Sequence, residues 1–245
     1  MNDFVHFFKK ILDYVCVKKC VACDELLEFD YDGFLCPECA REWDEAKRTV
    51  CDRCFKMHSK CRCSFGKQYV DGMRHLALYD HADREWVVNK IVYAMKKRNA
   101  DDVFEFVARE MVDNLIDKNT LNNAIFVGIP RSPKSVRKYG YDHAKKLAKT
   151  LAEISDGEYI DALGHRGGAI EQKTLNRVQR ALNAKENCFI KDKALPKIKG
   201  KTVFLVDDIA TTGAMTGAYA EILHKNGAEK VLCLLAAKNK LQKNK

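Results

Sequence analysis

Long apolar runs are missing from this chain. The longest, residues 231–237, spans seven residues, against the roughly 20 that a membrane-crossing helix requires. The first twelve residues carry Asp3, His6, Lys9 and Lys10, so they offer neither a secretory apolar core nor a cleavage site. Proline is scarce, with four in 245 residues, and no low-complexity tract reads as a linker. No Gly-x4-Gly-Lys-Ser/Thr loop occurs, which argues against a P-loop ATPase. What is present is 47% hydrophobic and 31% charged residues, the balance of a soluble globular protein rather than a disordered one. These absences predict a cytoplasmic protein.

Cysteine and charge are unevenly placed. Of eleven cysteines, nine lie within the first 63 residues, and only Cys188 and Cys233 follow. Residues 1–70 hold 12 basic and 12 acidic residues, whereas residues 71–245 hold 31 and 22, the whole of the +9 excess. Two composition regimes predict a cysteine module over residues 1–66 and a basic domain over 67–245, the latter of ordinary domain size.

The cysteines form pairs: Cys20-x2-Cys23, Cys36-x2-Cys39, Cys51-x2-Cys54 and Cys61-x-Cys63. A Cys-x2-Cys turn sets two thiolates on one side of a knuckle, suited to two vertices of a tetrahedron around Zn²⁺. Four pairs therefore predict two structural sites, paired by sequence neighbours, with a crossed pairing as the alternative. Leu26, Leu27, Phe29, Tyr31 and Phe34 around residues 30–33 read as a hairpin with an Asp-Gly turn, hence a zinc ribbon. Iron–sulfur ligation and a disulfide framework are the competing readings, the second needing an oxidising compartment. Cys16 reads as a core thiol on an N-terminal helix whose stripe is Phe4, Phe7, Phe8, Ile11, Leu12 and Val15. His58 is a substitute ligand for the second site. A closed four-thiolate site leaves no open position, so the metal would hold the module together rather than catalyse.

The basic domain alternates strands and helices. Strands are predicted over 74–79, 124–129, 158–163, 201–206 and 231–236, and helices over 83–97, 101–116, 141–154, 175–185 and 213–225. Such alternation predicts an α/β fold with a mainly parallel sheet flanked by helices, and ligands at the carboxyl ends of its strands. The most informative loop runs Val203-Phe204-Leu205-Val206-Asp207-Asp208-Ile209-Ala210-Thr211-Thr212-Gly213. A buried strand ends in two carboxylates, and Thr-Thr-Gly then opens a helix whose amide groups and dipole favour phosphate. Gly213 lets the backbone approach an anion closely. A phosphate cradle beneath two acids suited to hydroxyl groups reads as a ribose-5-phosphate site.

This string resembles the phosphoribosyl-pyrophosphate (PRPP) motif of type I phosphoribosyltransferases, with one departure: the position two after Gly213, usually Thr, is Met215. Two further segments narrow the likeness. Gly128-Ile129-Pro130 ends a strand before a basic loop with Arg131, Lys134, Arg137 and Lys138 and the pair Gly140-Tyr141. Gln172, Leu175, Arg177, Arg180 and Asn183 lie between the third strand and the phosphate loop. With the cysteine pairs in front, the whole chain is similar to the ComF competence family, which joins an N-terminal zinc ribbon to a phosphoribosyltransferase-like domain. It departs at Asp142-His143, where that family more often has Asn-Gln. Those two residues read here as helix N-terminal residues rather than catalysts.

The resemblance implies roles. Asp207 and Asp208 would hold the ribose hydroxyls, directly or through Mg²⁺, and Ile209, Ala210, Thr211, Thr212 and Gly213 the 5′-phosphate. Pro130, Arg131 and Ser132 occupy the pyrophosphate loop. Arg177 and Arg180 match the mobile catalytic loop and would close over pyrophosphate, unless they form a solvated basic helix face. The implied function is PRPP binding and the handling of single-stranded DNA on the cytoplasmic side during natural transformation. A DNA-translocating helicase and the DNA-uptake channel are the implied partners, which would hold the protein at the inner face of the membrane. The basic domain and the tail lysines Lys238, Lys240, Lys243 and Lys245 would attract DNA phosphates. The alternative is an active phosphoribosyltransferase that moves the ribosyl phosphate of Mg²⁺–PRPP onto a base or amine.

Overall fold

A computed structural model describes residues 18–28, 30–50, 56–60, 70–166, 187–210 and 213–240. Several expectations lie outside these residues: the N-terminal helix, Cys16, the second cysteine set (Cys51, Cys54, Cys61 and Cys63), the side chain of His58, Arg177 and Arg180 with the helix expected around them, and Thr211 and Thr212.

The elements in chain order are α1 (Pro37–Arg48), β1 (Gly72–Tyr79), α2 (Val87–Lys97), α3 (Asp101–Leu115), β2 (Ala124–Gly128), α4 (Pro133–Tyr139), α5 (His143–Ile154), β3 (Glu158–Tyr159), β4 (Leu163–His165), β5 (Cys188–Ile190), α6 (Leu195–Ile198), β6 (Thr202–Ala210), α7 (Ala214–Lys225) and β7 (Lys230–Asn239). Five strands form one sheet in the order β1-β7-β6-β2-β3, and every pairing in it is parallel. The fold is therefore the mainly parallel α/β sheet that the strand–helix alternation predicts. A short antiparallel pair, β4 and β5, stands apart from the sheet.

Three of the elements whose extents differ from prediction do so for a clear local reason. Helix α2 starts at Val87 rather than residue 83, because the Asp83 carboxylate accepts from the amides of Glu85 and Trp86, each at 3.1 Å. This is a capping turn ahead of the helix rather than its first turn. The strand predicted over 158–163 is split: Ile160 N still donates to Phe126 O at 2.9 Å, then Ala162 N turns back onto Ile160 O. Beyond that turn the chain leaves the main sheet and enters β4. Strand β6 continues through the acid pair to Ala210, because β7 runs beside it and pairs Asp207 with Leu235 and Ile209 with Ala237.

Period-two alternation sorts the sheet residues between two layers. Val203 and Leu205 of β6 join Ile125, Val127 and Val231 under α7, where Tyr219 and Leu223 cover them. Phe204 and Val206 face the other way, among Leu147 and Leu151 of α5 and the apolar stripes of α2 and α3. Phe126 and Phe204, opposite each other in the β2–β6 register, stack at 5.1 Å. The second layer is continuous with the cysteine-rich segment: Cys20, Val21, Leu35, Cys36 and Trp43 belong to the same buried cluster. Trp43 packs on Phe106 of α3 at 5.5 Å, its indole N–H donates to Glu110 at 2.9 Å, and Lys47 pairs with Glu110 at 2.8 Å.

Gly128, the last residue of β2, lets α5 pass directly over the strand. A Cβ there would lie 2.7 Å from the Lys145 Cα and 2.8 Å from the Ala144 carbonyl oxygen. Backbone cannot yield as a side chain can, so Gly128→Ala should cost about 1–3 kcal/mol of stability. At this chain length each kcal/mol lowers Tm by roughly 2–4 °C, which a calorimetric scan would resolve. An unchanged Tm would mean that α5 shifts freely away from β2.

Candidate functional site

Strand β2 leads through α4 and α5 to β3 at one edge, while β6 leads through α7 to β7 on the other side. Their carboxyl ends are thus the point where the winding of the sheet reverses, the place where open α/β sheets bind ligands. The residues after β2 and at the end of β6 are two of the three sequence segments expected to form the site, the third being the Arg177–Arg180 segment, and the fold brings these two together.

Asp207 and Asp208 are buried, Asp208 to 1% exposure. Because they are consecutive in a strand, they leave it on opposite faces. The Arg131 guanidinium joins them: Nη2 lies 2.9 Å from Asp207 Oδ1 and also donates to Asp208 Oδ1. On its own face Asp208 meets two further groups, Lys96 Nζ at 3.2 Å and His143 Nε2 at 3.3 Å, both through Oδ2. The histidine contact is close without the alignment of a hydrogen bond. Asp207 Oδ1 also accepts the Asp208 backbone N–H at 2.9 Å.

Burial and charge divide the two acids. Burial would raise both, but Arg131, Lys96 and His143 outweigh it at Asp208 and hold its carboxyl well below the usual carboxylate range. At Asp207 burial dominates, and the neighbouring Asp208 charge adds to it against Arg131, so its carboxyl is held well above that range. Asp208 thus contributes stability at every pH above its ordinary value, and loses it only when acid reaches its depressed value. Asp207 works the other way. Its ionisation costs the folded state more than the unfolded one, so its contribution falls as pH rises past the ordinary carboxylate range.

The loop after β2 is fixed from below. Ile129 N extends the ladder to Val206 O at 2.8 Å, and Pro130 is buried. Asp142 holds Arg131 and α5 at once: its Oδ2 accepts the Arg131 backbone N–H at 2.8 Å, and its Oδ1 caps α5 by accepting Lys145 N. Ser132 caps α4 through the Ser135 N–H. Asp142 and His143 are helix N-terminal residues, as predicted, but His143 also turns its ring onto Asp208. Gly213 has φ +72°, the left-handed conformation that glycine adopts without strain, and α7 begins immediately after it. Met215, where the motif usually has Thr, packs against the apolar layer beneath α7. Its neighbour Thr216 is buried.

The sequence did not single out Lys96, which lies near the end of an amphipathic helix beside a second lysine. Nothing in the local pattern separates it from an exposed charge. Asp142-His143 carried a signal, since an N-cap directly after a Gly-Tyr pair places the next side chain at the strand ends.

The first two cysteine pairs converge. The Sγ atoms of Cys20, Cys23, Cys36 and Cys39 all lie within 4.8 Å of one another. Cys23 and Cys36 are 3.8 Å apart, close to the edge of a tetrahedron with metal–sulfur bonds of about 2.3 Å. The donor set and its spacing thus fit a closed four-thiolate metal site, paired by sequence neighbours. Cys20 and Cys23 sit in a tight turn closed by the Cys20 N to Glu25 O and Asp24 N to Cys20 O hydrogen bonds. Cys36 stands at the residue before α1 without a side-chain capping bond, and Cys39 lies in the first turn of the helix. Among the described residues, the hairpin expected around residues 30–33 is not formed. The antiparallel bridge instead joins Lys19 to Leu26 around the first pair, and Pro37 starts a helix at the second.

Residues 101–245 match the phosphoribosyl transferase domain family, more than half of the chain, and the chain belongs to that family. It is similar to competence protein ComFC of Streptococcus pneumoniae (strain ATCC BAA-255 / R6), with 26% identity over 204 residues, 82% of this chain and 86% of the relative. The cysteine cluster and the similarity to a competence protein agree with the resemblance drawn from the sequence. Among solved structures it is similar to TT1426 from Thermus thermophilus, with 14% identity, 61% of this chain and 87% of that one covered, and a TM-score of 0.33. That likeness is too slight to add to the fold argument. Among the described residues no helix is long and apolar enough to cross a membrane.

The opposed environments of the two acids give a stability test. Asp208→Asn leaves Lys96 facing a neutral group and Arg131 with Asp207 as its remaining carboxyl partner, and should cost about 2–3 kcal/mol, somewhat less than a fully buried pair because both cations are partly exposed. Asp207→Asn replaces a carboxyl already disposed to be neutral and should cost less than about 0.5 kcal/mol, a Tm shift of no more than about 2 °C. Equal losses in the two variants, measured by thermal unfolding at pH 7, would refute the division.

Proposed function

We propose that the protein binds Mg²⁺–PRPP in the crevice between the ends of β2 and β6, and handles single-stranded DNA on the cytoplasmic side during natural transformation. The observation that carries the first part is the acid pair at the switch point, held by Arg131, Lys96 and His143, with α7 starting directly after Gly213. Asp207 and Asp208 hold the ribose hydroxyls, either directly or through Mg²⁺, and residues 209–213 hold the 5′-phosphate. When bound, Mg²⁺ would supply positive charge to offset the pyrophosphate oxygens, with Asp207 and Asp208 as the residues that would hold it. Arg131 and Lys96 occupy the carboxylates in the free protein and would be free to face the anionic ligand once that charge is supplied. Ser132 and Pro130 shape the loop that presents Arg131, and Arg177 and Arg180 close over pyrophosphate.

The DNA role rests on the similarity to a competence protein and on the basic domain. A DNA-translocating helicase and the uptake channel are its proposed partners, at the inner face of the membrane. The intact acid pair also supports a second reading, in which the protein transfers the ribosyl phosphate to a base or amine and releases pyrophosphate. Release of pyrophosphate from PRPP in the presence of an acceptor would decide for it.

Calorimetric titration with Mg²⁺–PRPP tests the pocket. The wild type should bind saturably, and Asp207→Asn with Asp208→Asn should abolish the heat. Arg131→Gln should weaken binding roughly tenfold or more, since a charge-assisted hydrogen bond to phosphate contributes about 1.5–3 kcal/mol. Unchanged heat in the double variant would remove the pocket from the proposal.

We further propose that Cys20, Cys23, Cys36 and Cys39 hold a structural Zn²⁺, with Cys51, Cys54, Cys61 and Cys63 as the second set. The knuckle's own amides favour thiolate at Cys20, offsetting the effect of burial. Cys36→Ser should lose one equivalent of zinc by elemental analysis, and the segment before residue 66 should become sensitive to protease. A zinc-replete, resistant variant would contradict the assignment.

A further inference from the structure

A groove of about 590 Å³ runs between the first cysteine knuckle and the outer side of α2, away from the acid pair. Tyr93 stands in it at 54% exposure, a large aromatic ring left in water where the rest of its helix stripe is buried. Lys97, one turn on, places Nζ 4.4 Å from the Tyr93 ring centroid. Tyr79 and His81 also line the groove, with their rings edge to face at 4.9 Å. Its acids are already matched: Asp24 by Arg98 and Glu85 by Lys90 at 3.2 Å. Arg84 and Lys97 are left over, and among the described residues neither pairs with a carboxylate. The end of β7 is tied to the same place, because Lys240 N donates to Tyr79 O at 2.9 Å and its Nζ pairs with Asp80 at 3.0 Å.

An exposed aromatic face beside uncompensated cations is the pairing that holds unpaired bases by stacking and their phosphates by charge. We infer that this groove is the path of single-stranded DNA, with a base stacked on Tyr93 and the adjoining phosphates on Lys97 and Arg84. The inference rests on the DNA-handling reading above and gives that reading a location separate from the PRPP crevice. A closed small-molecule pocket fits the groove less well. Its walls come from two different segments, the knuckle and the β1–α2 region, and Tyr93 stands 54% exposed in it with Lys97 over one face of the ring.

The test uses the full-length, zinc-replete protein and a fluorescein-labelled dT20 followed by anisotropy. The wild type should bind with a steep loss on adding salt. Tyr93→Ala should weaken binding about tenfold, within the range measured for stacking platforms, while Tyr93→Phe should stay within twofold. Lys97→Ala should weaken binding and flatten the log–log salt dependence by about 0.7, the share of one phosphate contact on a single strand. Arg109→Ala, which removes an exposed cation from α3, should stay within twofold and thereby separates the groove from general charge. Photocrosslinking with 5-iodouracil-substituted oligonucleotide should label Tyr93.

If the wild type binds dT20 but Tyr93→Ala stays within twofold and the label falls elsewhere, the groove is wrong and the DNA-handling reading stands. If the wild type shows no binding at low salt, that reading falls and the groove with it. Tighter binding of rU20 than of dT20 would overturn DNA as the occupant. Near-ultraviolet circular dichroism of each variant identifies any that misfolds, and Tyr93→Phe keeps the stacking test intact in that event.

Discussion

Taking two adjacent carboxylates out of water costs several kcal/mol for each charge, and attraction to nearby cations must return it. Asp207 and Asp208 set this problem at the end of β6, and much of the surrounding structure is arranged around it. Arg131 comes from the loop after β2, Lys96 from α2 and His143 from α5. Lys96 is distant in sequence from the other two, all three are remote from β6, and their side chains meet at this strand end. The arrangement is asymmetric because consecutive strand residues face opposite layers. Asp208 faces the layer that carries Lys96 and His143, and Asp207 faces the apolar side under α7 with Arg131 as its cation. A ligand that supplies its own positive charge to the acids replaces interactions already present, so the free site is held in shape before binding.

The same sharing of position links the site to the cysteine knuckle. Near the end of α2, Lys96 reaches Asp208, while two residues later Arg98 donates to Asp24 and to the Val21 carbonyl of the knuckle. Tyr141, beside Asp142, donates its hydroxyl to Arg98 O at 2.9 Å and to Met95 O. One helix end is therefore clamped by the cysteine knuckle, by the α5 cap region and by the acid pair. The composition break near residue 66 suggested two units in series. Among the described residues, one buried cluster runs from Cys20 and Trp43 through α3 into the sheet, because Trp43 and Phe34 need an apolar partner that so short a segment cannot supply for itself.

Much of this was legible from local chemistry. Val203-Phe204-Leu205-Val206 was legible as a buried strand that ends in two acids. The knuckle spacing of Cys20, Cys23, Cys36 and Cys39 favoured the pairing by sequence neighbours, and the fold brings those four thiols together rather than a crossed set. Lys96 was not legible, because a lysine on an amphipathic helix looks the same whether its ammonium meets water or a carboxylate. His143 was half legible, its place at the start of a helix but not its contact. Met215 looked like a defect in the phosphate motif, and the fold instead gives it an apolar surface to cover.

Residue type and spacing alone determined the strand–helix alternation, the acid pair, the thiolate tetrad and the family resemblance, since each depends on neighbours within a few residues. The tertiary structure decided how far β6 extends, which acid faces which layer, which cations neutralise them, and that the knuckle shares the core of the domain. Those outcomes depend on strand register and on helices crossing from remote parts of the chain. Backbone periodicity limits such contacts without specifying them; packing selects one set, because only one leaves the apolar faces covered and the buried charges matched.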